Sequence, residues 1–152
     1  MTPLEIYQSA LDAVSAAILT GDFDRYADLI DLPYLVHTID ARHLVSLRED
    51  LRPTFLALNA ALEEEGVTNY ERVARAADYV SRDRIEGWHH SHLIANGEHV
   101  AYPHVSRQTI VRRGDRWLFS EAHYQMKADR WPVTRENLLD QFGIAATQGG
   151  KP

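Results

Sequence analysis

The sequence predicts an α+β domain, with helices in its first half and a sheet of long antiparallel strands in its second. Three observations carry this expectation. Leu4, Tyr7, Leu11, Val14 and Ile18 recur at helical spacing and form one apolar face. Leu51, Phe55, Leu58 and Leu62 do the same further on. Residues 84–125 then read as three long strands separated by Asn96-Gly97 and Gly114-Asp115, residue types suited to two-residue hairpin turns.

Each element has a local reason. Thr2-Pro3-Leu4-Glu5 starts the first helix: Thr2 caps, Pro3 suits the first helical position and Glu5 completes a capping box. Gly21 ends that helix, where a left-handed residue costs glycine little. Asp22 starts a short second helix burying Phe23, Tyr26, Leu29 and Ile30, which Leu32-Pro33 stops. Tyr34–Ile39 and Arg42–Leu47 read as a small hairpin around Asp40-Ala41. Ser46-Leu47-Arg48-Glu49 is a second capping box, with Asp50 as the alternative cap, and the later start puts Pro53 in the first helical turn. This third helix ends in the acidic run Glu63–Glu65 and Gly66. A strand over Tyr70–Val80 and a turn near Ser81-Arg82-Asp83 lead into the long strands. A short helix capped by Thr134 is expected to run to Phe142. With no repeat or linker, one domain is expected over residues 1–145, followed by a disordered tail over 146–152.

Composition narrows the function classes. At 152 residues the chain can bury roughly two-thirds of its unfolded surface. A net charge of −6 gives no basic field for nucleic acid or an anionic membrane. The absence of cysteine excludes thiolate catalysis, disulfides and cysteine metal sites. There is no basic n-region followed by an apolar stretch, and no apolar run nears the roughly 20 residues that span a bilayer. The expectation is a cytoplasmic protein without a signal peptide.

The order of elements resembles the nuclear-transport-factor-two-like superfamily, which includes the SnoaL-like polyketide cyclases, ketosteroid isomerase and scytalone dehydratase. The resemblance rests on Gly21-Asp22-Phe23 between the first two helices and on Ser46 to Leu51 opening the third. It rests also on Ile110-Val111-Arg112-Arg113-Gly114-Asp115-Arg116-Trp117-Leu118-Phe119, similar to the closing hairpin of that family. It covers roughly residues 3 to 125. It implies a cone-shaped roll of cystatin-like topology: a strongly curved antiparallel or mixed sheet wrapped around three helices. It also implies a ligand pocket in the cone, pairing of two copies through the sheet, and no cofactor. Ketosteroid isomerase residues do not carry over. Its helix tyrosine falls on Val14, and its strand aspartate falls among Val36, His37 and Thr38.

Side chains alternate faces along a strand, so the two turns assign the faces of the sheet. One face collects Ile85, His89, Ser91, Leu93, Tyr102, His104, Ser106, Gln108, Ile110, Trp117, Phe119, Glu121 and His123. It suits a pocket with Ile110, Trp117 and Phe119 as an apolar floor. In it His104 or His123 would transfer a proton, Glu121 would orient an imidazole, and Gln108 or Tyr102 would position a carbonyl or hydroxyl. His89 and Ser106 complete the wall, and Tyr26 and His37 are candidates to reach in. The other face carries Trp88, His90, His92, Val105, Arg107, Val111, Leu118 and Tyr124 and is the expected homodimer surface. Pro103 weakens the register before it, because a bulge there would move His89 and Tyr102 to the other face.

Each assignment has a plainer competitor. The histidines serve either acid–base chemistry or as hydrogen-bonded interior residues of a non-catalytic association module. Tyr7, Tyr26 and Tyr34 either line a site or are core residues with satisfied hydroxyls. A histidine metal site is conceivable, but the one His-x-His element, His90-Ser91-His92, falls on the pairing face, so no metal is expected.

Overall fold

The structure, a computed structural model, describes residues 1–101 and 103–124. Tyr102, the expected helix at 134–142 and the expected tail lie outside these residues. Helix α1 (Pro3–Thr20) is capped as its sequence requires. The Glu5 N–H donates to the Thr2 hydroxyl at 3.2 Å, and the Thr2 N–H donates to the Glu5 carboxylate at 2.8 Å. Gly21 closes the helix at φ 75°, and Asp22 caps α2 (Phe23–Asp28) by accepting from the Arg25 N–H at 3.1 Å.

Leu32-Pro33 does not stop that helix, because the chain is already extended in β1 (Ile30–His37). Pro33 sits where the pairing of β1 is irregular, between Ile30 and Leu35, and a missing N–H is tolerated there. Strand β2 (Arg42–Val45) completes the expected small hairpin. The second capping box does not form. A 3-10 turn over Arg48–Leu51 leads into α3 (Arg52–Glu64), which has no side-chain cap, with Pro53 in its first turn. Glu49, which would have closed the box, pairs with Arg52 at 2.8 Å instead, and Arg48 pairs with Asp28 at 2.8 Å.

The remaining strands are β3 (Asn69–Ser81), β4 (Arg84–Ala95), β5 (Glu98–His99), β6 (His104–Arg113) and β7 (Arg116–His123). The sheet runs β2-β1-β7-β6-β4-β3, with β5 beside β4. Among the described residues only the β1–β7 pairing is parallel. Asn96 and Gly97 both have positive φ, 54° and 78°, as the expected hairpin turn requires. The helices cover the inner face of the sheet. Their contact is a core of Tyr7, Leu11 and Ile18 from α1 and Phe55 and Leu62 from α3, packed on Val36, Ile85, Ile110 and Phe119.

One contact sets how closely α1 lies on the sheet. The Tyr7 ring rests on Gly87 of β4, where a Cβ would come within 2.7 Å of two ring carbons and 2.9 Å of the Ala76 carbonyl oxygen. Its hydroxyl reaches His89 Nδ1, two residues along the same strand, at 2.7 Å. One residue on, the Gln8 amide donates to the Arg72 carbonyl at 2.7 Å and accepts from the Ala74 N–H at 2.8 Å. Gly87→Ala is expected to cost about 1–3 kcal/mol through overpacking. Urea unfolding checks this, and an unchanged midpoint would show that the helix can lift without penalty.

Candidate functional site

The inner face carries two polar rows crossing β3, β4 and β6. In one, Arg72 pairs with Ser91, and Ser91 with His104. In the next, Ala74 pairs with His89, and His89 with Ser106. Gln108 follows opposite Gly87. His89, Ser91, Ser106 and Gln108 are all buried. The register before Pro103 is offset by two residues from the expected one, placing Ser91 rather than His89 opposite His104. An even offset leaves every side chain on its expected face. His89, His104, Ser106 and Gln108 therefore share one wall, as the sequence indicated.

Glu121 and His123 do not join them. Thr109 pairs with Glu121 but Ile110 pairs with Phe119, so Ser120 is an extra residue in β7. Beyond this bulge the strand reverses its faces. Ala122 turns into the core, and Glu121 and His123 turn to the outer face with Thr109 and Arg107. The expected set of His104, Glu121 and His123 is thus split across the sheet. His37 also corrects an expectation: Tyr34 and Val36 of β1 and Thr38 just after it are buried, and His37 faces outward beside His123. Tyr124, assigned to the pairing surface, packs against the core instead. Ile110 and Phe119 are filled core rather than pocket floor. Trp117 stands apart from the polar rows, in a cavity of about 500 Å³ with Ile6, Ala10 and Ala13 of α1.

Sequence reasoning missed the centre of the inner wall, Arg72. It is buried, with 9% of its surface exposed. Its Nη2 donates to the Tyr70 hydroxyl at 2.6 Å, and its guanidinium carbon lies 4.6 Å from the centre of the Tyr70 ring. Burial disfavours its charge, but Tyr70, Tyr124 and Tyr26 more than offset this, and its pKa lies above the ordinary value. Among the described residues no carboxylate pairs with it, and its Nε has no hydrogen-bond partner. Tyr26, packed against Phe55 with ring centres 5.1 Å apart, has its hydroxyl pKa raised by burial and then by Tyr124. Tyr34 is pushed up in the same way and bonds to Tyr124. Tyrosines from α2, β1 and the end of β7 thus converge with Arg72 of β3 across a curled sheet. Nothing in the alternation of Tyr70-Glu71-Arg72 marks an inward arginine, which is almost never fully buried unless paired.

The two inner histidines are uncharged at neutral pH. Burial first, then Arg72 and His104, depress His89 to about 2. Burial first, then Arg72 and His90, depress His104 to about 4. The Tyr7 hydroxyl, its own pKa raised by burial, stays protonated and donates to His89 Nδ1. The proton of His89 therefore sits on Nε2.

The fold is that of the nuclear-transport-factor-2-like, cystatin-like proteins: a curved sheet closed around helices. A protein of this type from Shewanella oneidensis, itself of unknown function, superposes with a TM-score of 0.57 at 13% identity, covering 80% of this chain and 98% of its own. One from Novosphingobium aromaticivorans, with a cystatin-like fold, gives 0.58 at 16% identity over 90% of this chain and 88% of its own. A Nostoc punctiforme protein of unknown function gives 0.58 at 10% identity over 85% of this chain and 91% of its own. No family model matches the sequence, and neither does any curated protein. Among the described residues no helix is long and apolar enough to cross a membrane.

Both inner histidines bind fewer protons folded than unfolded. Their contribution to stability is complete above about 6.5, the ordinary histidine value, and is lost as pH falls toward about 4 for His104 and further for His89. The melting temperature should therefore fall across that window. His104→Asn should flatten the fall, and identical slopes for the two proteins would contradict the burial of a neutral His104.

Proposed function

We propose that this protein binds a small molecule on the inner face of its sheet, an apolar body carrying an acidic head group that Arg72 receives. The carrying observation is Arg72 itself, a buried guanidinium with a free Nε donor and no acidic partner among the described residues. Tyr70 answers one edge of the guanidinium, and a ligand carboxylate supplies the partner that Nε lacks among the described residues. The bidentate geometry of arginine suits a carboxylate or a similar planar anion. The surrounding tyrosine hydroxyls add donors that stay protonated because burial raises their pKa values. His104 lies across Ser91 from Arg72 and is neutral, so it would be the proton acceptor if the bound ligand reacts. Such chemistry would be an isomerisation, cyclisation or dehydration that uses a histidine and no cofactor.

Stability and binding separate this reading from a purely structural arginine. Arg72→Met should leave the ligand-free protein close to native stability, because Met fills the apolar stem's space and among the described residues no carboxylate is left without its partner. The same variant should weaken binding of 2-naphthoate by ~30-fold or more, the effect of removing one partner of a buried charge pair. Methyl 2-naphthoate should bind poorly to both proteins. Fluorescence titration and urea unfolding report the two quantities. Loss of stability with no naphthoate binding by the native protein would overturn the proposal.

A second reading concerns association. On the outer face Val73 pairs with His90 and His90 with Val105, and the Trp88 ring meets His90 edge-on at 5.5 Å. Val73, Trp88 and Val105 are 40%, 37% and 40% exposed, apolar side chains on three adjacent strands. Glu86 and Arg107 flank them with opposite charges that a two-fold axis can pair. We propose that two copies join here. Sedimentation equilibrium should show a dimer for the native chain and a monomer for Trp88→Glu, and a native monomer at all concentrations would exclude the pairing.

A further inference from the structure

The Ser120 bulge and the parallel β1–β7 pairing create a second group of side chains, on the outer face. His37 and His123 are direct register partners, and Glu121 precedes His123 on the same side. The two imidazoles stack with centres 4.1 Å apart and planes 1° from parallel. Glu121 Oε2 is hydrogen-bonded to His37 Nε2 and lies 3.6 Å from His123 Nε2. Its other oxygen, Oε1, accepts from Arg84 Nη2 at 2.9 Å. One ligand atom from each of His37, Glu121 and His123 lies within 4.8 Å of the other two.

We propose that His37, Glu121 and His123 form a binding site for a divalent first-row transition-metal ion of the zinc class. Two imidazole nitrogens and one carboxylate oxygen are a donor set such ions favour, whereas calcium and magnesium require oxygen ligands throughout. Convergence of three donors has a physical consequence in the metal-free protein. Both imidazoles compete for a single carboxylate oxygen, and only one can donate to it well. An ion between them satisfies all three at once.

The surroundings match that role. Arg84 holds the non-ligating oxygen and so orients the carboxylate, as outer-shell partners do around metal ligands. The side chains of His37, Glu121 and His123 are 20%, 19% and 31% exposed, which is enough for an ion to enter. His123 also borders a cleft of about 340 Å³ shared with Trp88, Glu86 and Asp78. Three protein ligands leave at least one coordination position open. The other histidine pair of this face, His92 and His99, has ring nitrogens 3.0 Å apart, but among the described residues it completes no three-donor group. It therefore provides the control.

The untagged full-length chain, stripped with chelator, is titrated calorimetrically with zinc chloride, and with cobalt chloride while the visible spectrum is recorded. The native protein should bind about one ion per chain and show Co(II) d–d bands. His123→Ala, His37→Ala and Glu121→Gln should each weaken zinc binding by at least ~10-fold and abolish the bands, and Arg84→Ala should weaken it by ~10-fold. His92→Ala should leave both readings unchanged. Zinc should raise the melting temperature of the native chain and not of the three ligand variants, which distinguishes a lost site from a lost fold. Absence of zinc binding by the native protein would overturn the proposal. So would binding that survives all three ligand substitutions or disappears with His92→Ala.

Discussion

The seating of α1 on the sheet is the constraint from which the rest follows. The Tyr7 ring occupies space that only a glycine at position 87 leaves open, and its hydroxyl bonds to His89 two residues further along β4. Gln8 then ties the same helix to the backbone of β3 at Arg72 and Ala74. One helical turn thereby fixes two neighbouring strands, including the two positions that carry the polar inner wall. Packing and polar satisfaction act together here. His89 is tolerated in the interior because a phenol supplies its hydrogen bond, and a buried polar group without one would cost about 1–3 kcal/mol.

A single inserted residue then divides the chemistry between two surfaces. Without Ser120 as a bulge, Glu121 and His123 would face inward with His104. With it, Ala122 fills the core and the two polar residues meet His37 outside. The inner wall is left with neutral histidines, tyrosines and one guanidinium, and with no acid among the described residues. The outer cluster holds a carboxylate between two imidazoles. The two environments favour opposite partners: an anion at Arg72, a cation at Glu121.

Much of this was legible in the sequence. Caps at Thr2 and Asp22, the glycine stop at Gly21 and the Asn96-Gly97 turn depend on neighbours within a few residues, and all formed as the local chemistry requires. The faces of His89, Ser106 and Gln108 were also readable, because the irregularity around Pro103 shifts the pairing by two residues and parity survives an even shift. The expected capping box at Ser46 did not form, and Glu49, its other half, pairs with Arg52.

What the sequence determined by itself was the set of elements, their order and the alternation within each strand, since these follow from local propensity and periodicity. What the tertiary structure decided was which alternation survives and which strands meet. The one-residue bulge at Ser120 reverses two positions, and no local signal separates Phe119-Ser120-Glu121 in a regular strand from the same residues in a bulged one. The meeting of His37 with His123 depends on a parallel pairing between strands at opposite ends of the chain. The burial of Arg72 depends on a sheet curled far enough to bring tyrosines of α2, β1 and the end of β7 against β3. Both candidate sites arise from such long-range pairings, and periodicity along one strand carries no record of its distant neighbours.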